Sequence, residues 1–328
     1  MPKRRGNTHL KALSLEQVIE AFLFSLRAEN YAPKTLKYYR SNLARFLRFA
    51  KIKGLAGDVH LLDRWAIRDF LSGLKDGLWS GPYNRRPPSA ITVHHYFRTL
   101  RAFFNWCVRE GVLEESPLEG IVVKSPPPKV VEPYSNEDIR RLLAVCEMDI
   151  RQGAHLLGAR NRAMVLVLLD TGLRLKEIAS LRLEDVDLER GLVKVQGKGG
   201  KERIVRLGAT ARSALLAYLL HRGKREHPYI WVSEEGRPLA PEGVAQAVRR
   251  LKERAGVKGP GRVHRFRHTF ALEFLRRARD PFLLQILLGH STLEMTRRYT
   301  AALGLEDALK AHEMASPADR LLGRGQKG

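Results

Sequence analysis

The chain has 328 residues, of which 44% are apolar, so it is long enough to form two domains that each bury a hydrophobic core. Lysine and arginine number 58 against 35 aspartates and glutamates, which gives a formal net charge of +23. Both halves of the chain share this excess, which predicts a polyanionic partner, with nucleic acid the first candidate; the alternative is a generally cationic protein without such a partner.

Several other classes of protein are not indicated. The longest apolar run, residues 163–169, is far too short to cross a membrane, and the basic N-terminus lacks the apolar core of a secretory signal. The two cysteines, Cys107 and Cys146, lie in helical patterns and predict neither a disulfide framework nor a cysteine metal site. The sequence therefore indicates a cytoplasmic protein.

The first part of the chain has the hydrophobic spacing of a small all-helical domain. Ser14 and Gln17 predict a capping box at the first helix, and Gly111 is a suitable residue to end the last one. Helices are predicted at about residues 15–28, 34–51, 61–75 and 90–109. We expect a basic tail at residues 1–12 and a helical domain at residues 13–119.

A proline-rich segment then divides the chain. Residues 120–133 contain four prolines and no helical period, which predicts an extended linker and a domain boundary. The second domain is expected at residues 134–314, followed by a C-terminal tail at residues 315–328.

The second domain is predicted to be helical with a small β-sheet, so the chain as a whole is mainly α. Ser135 and Asp138 cap its first helix. Alternating apolar residues around the glycine-rich turn at 197–201 predict a β-hairpin, and a short strand is predicted at 229–232. Further helices are predicted at about residues 159–170, 210–221, 242–255, 264–277, 281–288 and 292–299.

The segment RVHRFRHTFA, residues 262–271, places His264, Arg267 and His268 on one face of a predicted helix. Such side chains repel one another unless an anion binds between them. A solvated basic face is the alternative. A zinc helix is excluded because the glutamate of the H-E-x-x-H pattern is missing.

Arg174 follows a predicted turn at Gly172 and begins a short helix, where backbone N–H groups also favour anions. The alternative is that Arg174 forms a surface ion pair with Glu177 or Asp170.

Two further segments carry candidate functional side chains. Lys198 lies at the predicted hairpin tip, but no Ser or Thr follows it, so the turn is not a nucleotide-triphosphate loop; an exposed polar tip is the alternative. Ser291 and Glu294 predict a capping box that fixes His290 at the entrance of a helix whose end carries Tyr299. Taken alone, Tyr299 is typical of a structural aromatic residue.

Together these segments resemble the tyrosine recombinases, also called phage integrases, and most closely their two-domain Xer-like members. The family pattern R…K…HxxR(H)…H…Y is matched in order, in the contexts TGLRLKEI, GKGGKER, HRFRHTFA and LLGHSTLEMTRRYT. The matching residues are Arg174, Lys198, His264, Arg267, His268, His290 and Tyr299. The N-terminal stretch LKYYRSNLARFLRFA is similar to the family's core-binding domain, although the polar connection at residues 81–90 is longer than in the simplest members.

The resemblance implies a fold and an activity. The fold is a helical, SAM-like core-binding domain followed by an α+β catalytic domain, which close around DNA as a C-shaped clamp. The activity is site-specific recombination, in which DNA strands are cut and rejoined through a 3′-phosphotyrosine intermediate without metal, ATP or other cofactor. It would serve integration, excision, or chromosome or plasmid resolution.

The resemblance also implies a role for each site residue. Tyr299 is the nucleophile, Arg174 and Arg267 bind the two non-bridging phosphate oxygens, and Lys198 is the general acid, with Lys201 as the alternative. His264 and His290 bind the phosphate or position the nucleophile. His268 supports proton removal from Tyr299.

The implied partners are double-stranded DNA and other recombinase subunits. We expect a homotetramer, or a heterotetramer with a related recombinase, on two duplexes, in the cytoplasm and associated with the nucleoid. The predicted helix at 303–314 would dock on a neighbouring subunit or pack on its own. A non-catalytic DNA-binding protein on the same fold and a topoisomerase-like nicking-closing enzyme remain as alternative functions.

Overall fold

The computed structural model describes residues 14–79, 87–126, 132–197 and 202–289, together with Gly200, Thr292, Thr296, Tyr299, Leu309 and His312. The chain divides into two compact units, Met1–Pro128 and Lys129–Gly328. The described residues form helices and one three-stranded sheet, which confirms the prediction of a mainly α protein with a small sheet. No helix in the described ranges is both long enough and apolar enough to span a membrane.

The described residues of the first unit form four α-helices: α1 (Leu15–Ala28), α2 (Pro33–Ile52), α3 (Arg64–Lys75) and α4 (Ala90–Arg109). The predicted capping box at α1 is present, with Ser14 and Gln17 exchanging side chain to backbone hydrogen bonds. The predicted start of α3 at residue 61 is wrong. The Asp63 carboxylate accepts from the Ala66 N–H and begins the helix at Arg64, while Val59–Leu61 form a separate 3₁₀ turn.

The core of the first unit is built from aromatic rings. The Phe22 and Phe103 rings meet edge to face at 5.6 Å, and the Phe46 and Phe70 rings at 5.0 Å. These rings come from α1, α2, α3 and α4, so each helix contributes to one continuous core. Most of the polar connection at 81–90 lies outside the described residues.

Between residues 132 and 289, the described part of the second unit forms seven α-helices and three strands. The helices are α5 (Asn136–Arg151), α6 (His155–Thr171), α7 (Leu175–Ala179), α8 (Ala209–Arg222), α9 (Pro241–Arg254), α10 (Val263–Ala278) and α11 (Pro281–Leu288). The strands are β1 (Val186–Asp187), β2 (Leu192–Gln196) and β3 (Glu202–Arg206). The α6 helix is central, since it packs against α5, α8 and α10.

The sheet is antiparallel in the order β1-β2-β3, and the predicted hairpin is confirmed in its strands, which pair from Leu192↔Arg206 to Gln196↔Glu202. The strand predicted at 229–232 is wrong, because this segment makes only isolated bridges, Arg182↔Tyr229 and Val232↔Pro238. The apolar run at this position reflects burial rather than strand pairing, because Ile230 and Trp231 are fully buried in the core.

Helix α6 begins at His155, four residues before its predicted start, with no side-chain cap to mark the position. The helices predicted at 292–299 and 303–314 lie mostly outside the described residues. Of the positions that are described there, Thr296, Tyr299, Leu309 and His312 are helical.

Candidate active site

Arg174 is positioned by a sharp turn at the end of α6. Gly172 ends that helix in the left-handed conformation, with φ of +58°. A side chain there would also collide with Phe270, because an added Cβ would lie 2.6 Å from the Phe270 Cδ1. Glycine therefore lets the chain reverse and places Arg174 at the N-cap of α7.

Glu177 holds Arg174 from the first turn of α7. Its Oε2 accepts from the Arg174 backbone N–H at 2.8 Å, and its Oε1 accepts from the Arg174 Nη1 at 2.8 Å. The alternative interpretation of Arg174 named Glu177 or Asp170 as a surface partner. Glu177 is the partner but it is buried, whereas the Asp170 carboxylate accepts from the Gly208 N–H.

A second arginine binds the same carboxylate from the sheet. Arg203 on β3 donates from Nη1 to Oε1 at 2.9 Å and from Nη2 to Oε2 at 2.8 Å of Glu177. Burial by itself would raise the pKa of Glu177, but the hydrogen bonds and charges of Arg203 and Arg174 outweigh it and lower the pKa to about 2. Glu177 is thus a buried, ionised carboxylate shared by two guanidinium groups.

Arg267 is the most deeply buried cation of the site. Its side chain is 1% exposed, and it donates from Nη1 to the Gly172 carbonyl at 2.8 Å and from Nη2 to the Leu288 carbonyl at 2.7 Å. Burial, and then repulsion from Arg174, lowers the pKa of Arg267 to about 10. Arg267 is still protonated at neutral pH.

Three arginines meet at the C-terminal end of α11, on three consecutive carbonyl groups. Arg203 Nε donates to Leu287 O at 2.9 Å, Arg267 Nη2 to Leu288 O at 2.7 Å, and Arg174 Nη2 to Gly289 O at 3.4 Å. The last carbonyls of a helix have no partner within the helix and carry its partial negative charge. The end of α11 therefore gathers cations from α7, α10 and β3.

The two histidines of α10 lie against each other, with their ring centroids 4.6 Å apart. Burial lowers the pKa of His264, and the charges of Arg267 and Arg174 lower it further. His264 is therefore held in its neutral form at neutral pH, as an uncharged hydrogen-bonding group beside the arginines.

Tyr299 lies beside His268, with a distance of 5.1 Å between the ring centroids. It is 5% exposed and packs into a small cluster with residues of α10 and α11: Ala271, Leu272, Leu275, Leu284 and Leu288. Both interpretations of Tyr299 are thus represented in the structure, since the ring is part of a core and is also next to a candidate proton acceptor.

The remaining predicted site residues, Lys198, His290 and the alternative Lys201, lie outside the described residues. Near the described start of β3, Arg203 binds Glu177. Sequence reasoning missed Arg203 as a site residue and treated Glu177 only as a surface partner.

The described part of the site holds more positive than negative charge. Arg174 and Arg203 bind one carboxylate, Glu177, and Arg267 meets both arginines at the end of α11. No group of three His, Cys, Asp or Glu side chains in the described ranges could hold a metal ion. Arg174 is the most accessible of the three guanidinium groups, with a side chain that is 35% exposed. Such a site is suited to bind a phosphate group.

Comparisons with known proteins assign this fold and site to a family. The sequence model of the phage integrase family matches residues 134–304, and that of the phage integrase N-terminal SAM-like domain matches residues 18–114. The chain belongs to the phage integrase family, whose members are the tyrosine recombinases that the motifs resemble.

Individual relatives match along nearly the whole chain. The protein is 31% identical over 329 residues to tyrosine recombinase XerC 2 of Ralstonia nicotianae, which covers 97% of this chain and 90% of the relative. It is 29% identical over 306 residues to tyrosine recombinase XerD of Listeria monocytogenes, covering 90% and 98%.

Solved structures show the same fold. The XerH site-specific recombinase bound to palindromic difH substrate, in a post-cleavage complex, is 25% identical with a TM-score of 0.67, covering 93% of this chain and 84% of that one. A lambda integrase tetramer bound to a Holliday junction is 17% identical with a TM-score of 0.69, covering 88% and 77%, and supports the fold.

Proposed function

We propose that this protein is a site-specific DNA recombinase that cuts and rejoins DNA strands through a covalent bond between Tyr299 and a 3′-phosphate. The observation that carries the proposal is the cluster of three arginines at the end of α11, two of which bind a single carboxylate, next to the Tyr299–His268 pair. Family membership supports it, and the relatives named above are themselves called tyrosine recombinases.

The arginines supply what a metal ion supplies in other phosphoryl-transfer enzymes. As a tyrosine oxygen attacks phosphorus, negative charge builds up on the non-bridging oxygens, and fixed cations stabilise that charge. Arg174 is accessible, and Arg267 donates only two of its five N–H groups to the described carbonyls, so both arginines retain donors for a phosphate. We assign the two non-bridging oxygens to these two guanidinium groups.

Proton transfers complete the reaction. The Tyr299 hydroxyl loses its proton to His268 as its oxygen bonds to phosphorus, because a protonated tyrosine is a weak nucleophile. The bond from phosphorus to the 5′-oxygen breaks, and the leaving oxygen takes a proton from Lys198, or from Lys201 in the alternative assignment. His264 and His290 donate hydrogen bonds to the phosphate or hold the nucleophile in place.

The phosphotyrosine bond keeps the energy of the original phosphodiester, so a 5′-hydroxyl from a second duplex can attack it without an external energy source. Exchange between duplexes requires double-stranded DNA and four protomers. We propose a homotetramer, or a heterotetramer with a related recombinase, working in the cytoplasm on the nucleoid. The lambda integrase tetramer on a Holliday junction supports this arrangement by analogy.

The decisive experiment traps the covalent intermediate. A core site is first selected from random duplexes by binding to the wild-type protein, and is then given a nick so that the cleaved fragment escapes. Wild type is expected to form an adduct that survives SDS, and Tyr299→Phe to form none. Phenylalanine keeps the buried ring, so loss of the adduct would report the missing hydroxyl rather than lost packing.

Two further arms of this experiment test the arginine assignment and the alternatives. Arg174→Ala is expected to bind the site but to cleave it about 10²-fold more slowly, the usual cost of losing one donor to a developing oxyanion. The absence of an adduct with wild type would contradict the mechanism and favour a non-catalytic binder, whereas an adduct with Tyr299→Phe would contradict the assignment of Tyr299 as the nucleophile. Adduct formation without resolution of a four-way junction would favour the nicking-closing enzyme.

A further inference from the structure

We propose that Arg203 is a positioning residue for DNA strand cleavage, which holds Arg174 through Glu177 and fixes the end of α11. This inference rests on the proposed function, because it concerns the same site. Within the described residues, the hydrogen bonds of Arg203 go to Glu177 and to the Leu287 carbonyl, and its role is to keep the phosphate-binding cations in place.

The contacts of Arg203 account for every nitrogen of its guanidinium group. Nη1 and Nη2 bind the two oxygens of Glu177, and Nε binds the Leu287 carbonyl at 2.9 Å. The side chain is only 10% exposed, whereas that of Arg174 is 35% exposed. Arg203 is thus turned toward the protein, and Arg174 is the one available to DNA.

Arg203 also sets the net positive charge of the Arg174–Glu177 pair that would face a phosphate. Each oxygen of Glu177 accepts one hydrogen bond from Arg174 and one from Arg203. With Arg203 present, the three charges sum to a single positive charge that faces outward at Arg174. Without Arg203, Glu177 would neutralise Arg174 alone, and the attraction for the charge that builds up on phosphate would weaken.

A third effect is geometric, because Arg203 connects three segments of the site. It is the second residue of β3, which follows the hairpin turn that carries Lys198, and its Nε holds the last turn of α11. Its aliphatic part lies beside Gly289, where an added Cβ would be 3.0 Å from the Arg203 Cδ. Gly289 immediately precedes His290, so Arg203 fixes the backbone from which that residue departs.

The test compares Arg203→Met with a matched control on the same strand, Arg206→Met. Arg206 is exposed on the opposite face of β3, so its replacement removes the same charge without touching Glu177. We measure the dissociation constant for the core site, and the single-turnover rate of adduct formation at saturating protein. We expect Arg203→Met to keep its affinity within about threefold but to cleave about 10²-fold more slowly, the typical effect of a slight misplacement of reacting groups.

The conservative variant Arg203→Lys separates positioning from bulk stability. Lysine keeps the charge but loses the planar fork that binds both carboxylate oxygens, so a partial rescue of the cleavage rate, to within about tenfold of wild type, is expected. Thermal unfolding is measured for every variant so that cleavage is compared only where each protein is folded.

The double variant Glu177→Gln with Arg203→Met shows whether Arg203 acts through Glu177. This variant removes the carboxylate together with its buried arginine partner, so neither charge is left buried without the other. It is therefore expected to fold even where Arg203→Met alone does not. If Arg203 acts through the carboxylate, the double variant cleaves no more slowly than Glu177→Gln alone. If the rate loss in the double variant equals the product of the losses in the two single variants, the inference is overturned.

The outcomes separate this inference from the function on which it depends. If wild type forms no adduct, the proposed function fails. If wild type forms the adduct and Arg203→Met cleaves at the wild-type rate, the positioning role of Arg203 fails and the proposed function stands. A cleavage defect in Arg206→Met as large as that in Arg203→Met would also overturn it, since charge alone would then account for the effect.

Discussion

The buried arginines of the second unit bind carbonyl oxygens more often than carboxylates. Arg222 donates to the carbonyls of Gly223, His227 and Tyr229, and Arg160 donates to Val232 O. Arg267 follows the same pattern at the candidate site. A carbonyl satisfies the N–H groups but does not neutralise the charge, so a guanidinium held in this way still attracts an anion.

Glu177 is a buried carboxylate bound by two arginines, and its ionisation should be visible in the pH dependence of folding. Its pKa in the folded protein is about 2, below its usual value of 4.5, so the stability it contributes is complete above about pH 4.5 and is lost as the pH falls through 2. Glu177→Gln is expected to lower the free energy of unfolding at neutral pH by about 3 kcal/mol.

The measurement is urea unfolding of wild type and Glu177→Gln at a series of pH values. The difference between the two proteins should shrink steadily between about pH 4.5 and the lowest pH at which wild type still folds. Glu137→Gln is the control, because Glu137 forms only exposed ion pairs with Arg140 and Arg141, worth less than about 1 kcal/mol. A difference that stays constant with pH would contradict the assignment of a depressed pKa to Glu177.

Single residues differ in how far the sequence predicted them. Arg174, Arg267, His264 and His268 were found through the family pattern, and the structure places them close to one another or to Tyr299. Arg203 could not be found in this way, because whether it points inward depends on the register of β3. An i, i+3 pair such as Arg174 and Glu177 has the same sequence signature whether it is exposed or buried, and only the packing around α7 decides.

Helix α11 is the element on which the site depends, although it has only eight residues. The Asp280 carboxylate caps its first turn by accepting from the Phe282 and Leu283 N–H groups, and Pro281 occupies a first-turn position. At the other end, Gly289 stops the helix in the left-handed conformation, with φ of +61°. Both ends are thus fixed, and the three arginines act on a defined helix terminus.

Replacing Gly289 tests this arrangement, with a second glycine as the control. Gly289→Ala is expected to cost about 1 kcal/mol or more from its positive φ alone, and to push against the Arg203 side chain. Gly256→Ala has the same backbone strain, with φ of +63°, but open space around the added Cβ. Both variants should lose stability in thermal unfolding, whereas only Gly289→Ala should also slow adduct formation; equal cleavage rates would exclude a link between this helix end and the reaction.

Among the elements, the sequence predicted those with a clear period or a visible cap. The capping box at Ser14, the helix cap at Ser135, and the paired strands β2 and β3 lie where they were expected. The strand at 229–232 was wrong because its apolar run records burial rather than pairing, and sequence cannot separate the two in a short segment. The start of α6 was missed since no capping side chain marks it.

On the scale of the whole molecule, the net charge of +23 governs affinity for DNA rather than specificity. Part of this charge is exposed on α4, where Arg98 and Arg101 line a groove of about 450 Å³ together with Tyr38 and Asn105. Arginine, tyrosine and asparagine side chains in one groove are suited to contacts with a sugar-phosphate backbone.

Binding should therefore depend steeply on salt. If the protein contacts 6 to 10 phosphates, its affinity for the core site should fall by roughly 10³- to 10⁵-fold between 50 and 200 mM salt. Fluorescence anisotropy over this range gives the slope of log K against log salt, and Arg98→Ala or Arg101→Ala should each reduce that slope by about one unit. Arg109→Ala, on the same helix but already paired with Glu29 and Glu110, should leave it unchanged; a flat salt dependence of wild type would contradict binding through phosphates.

The three arginines at the end of α11 all donate to main-chain oxygens. Substitution should therefore be harmful at the arginines, which supply the donors, and better tolerated at the positions that supply the acceptors. The donors can be lost by changing one codon, whereas the acceptors at positions 287, 288 and 289 are present whatever side chains stand there. Leu287 is only partly buried, so this position can accept other residues that are compatible with a helix. Variation at that position would say little about the site, even though its carbonyl group is part of it.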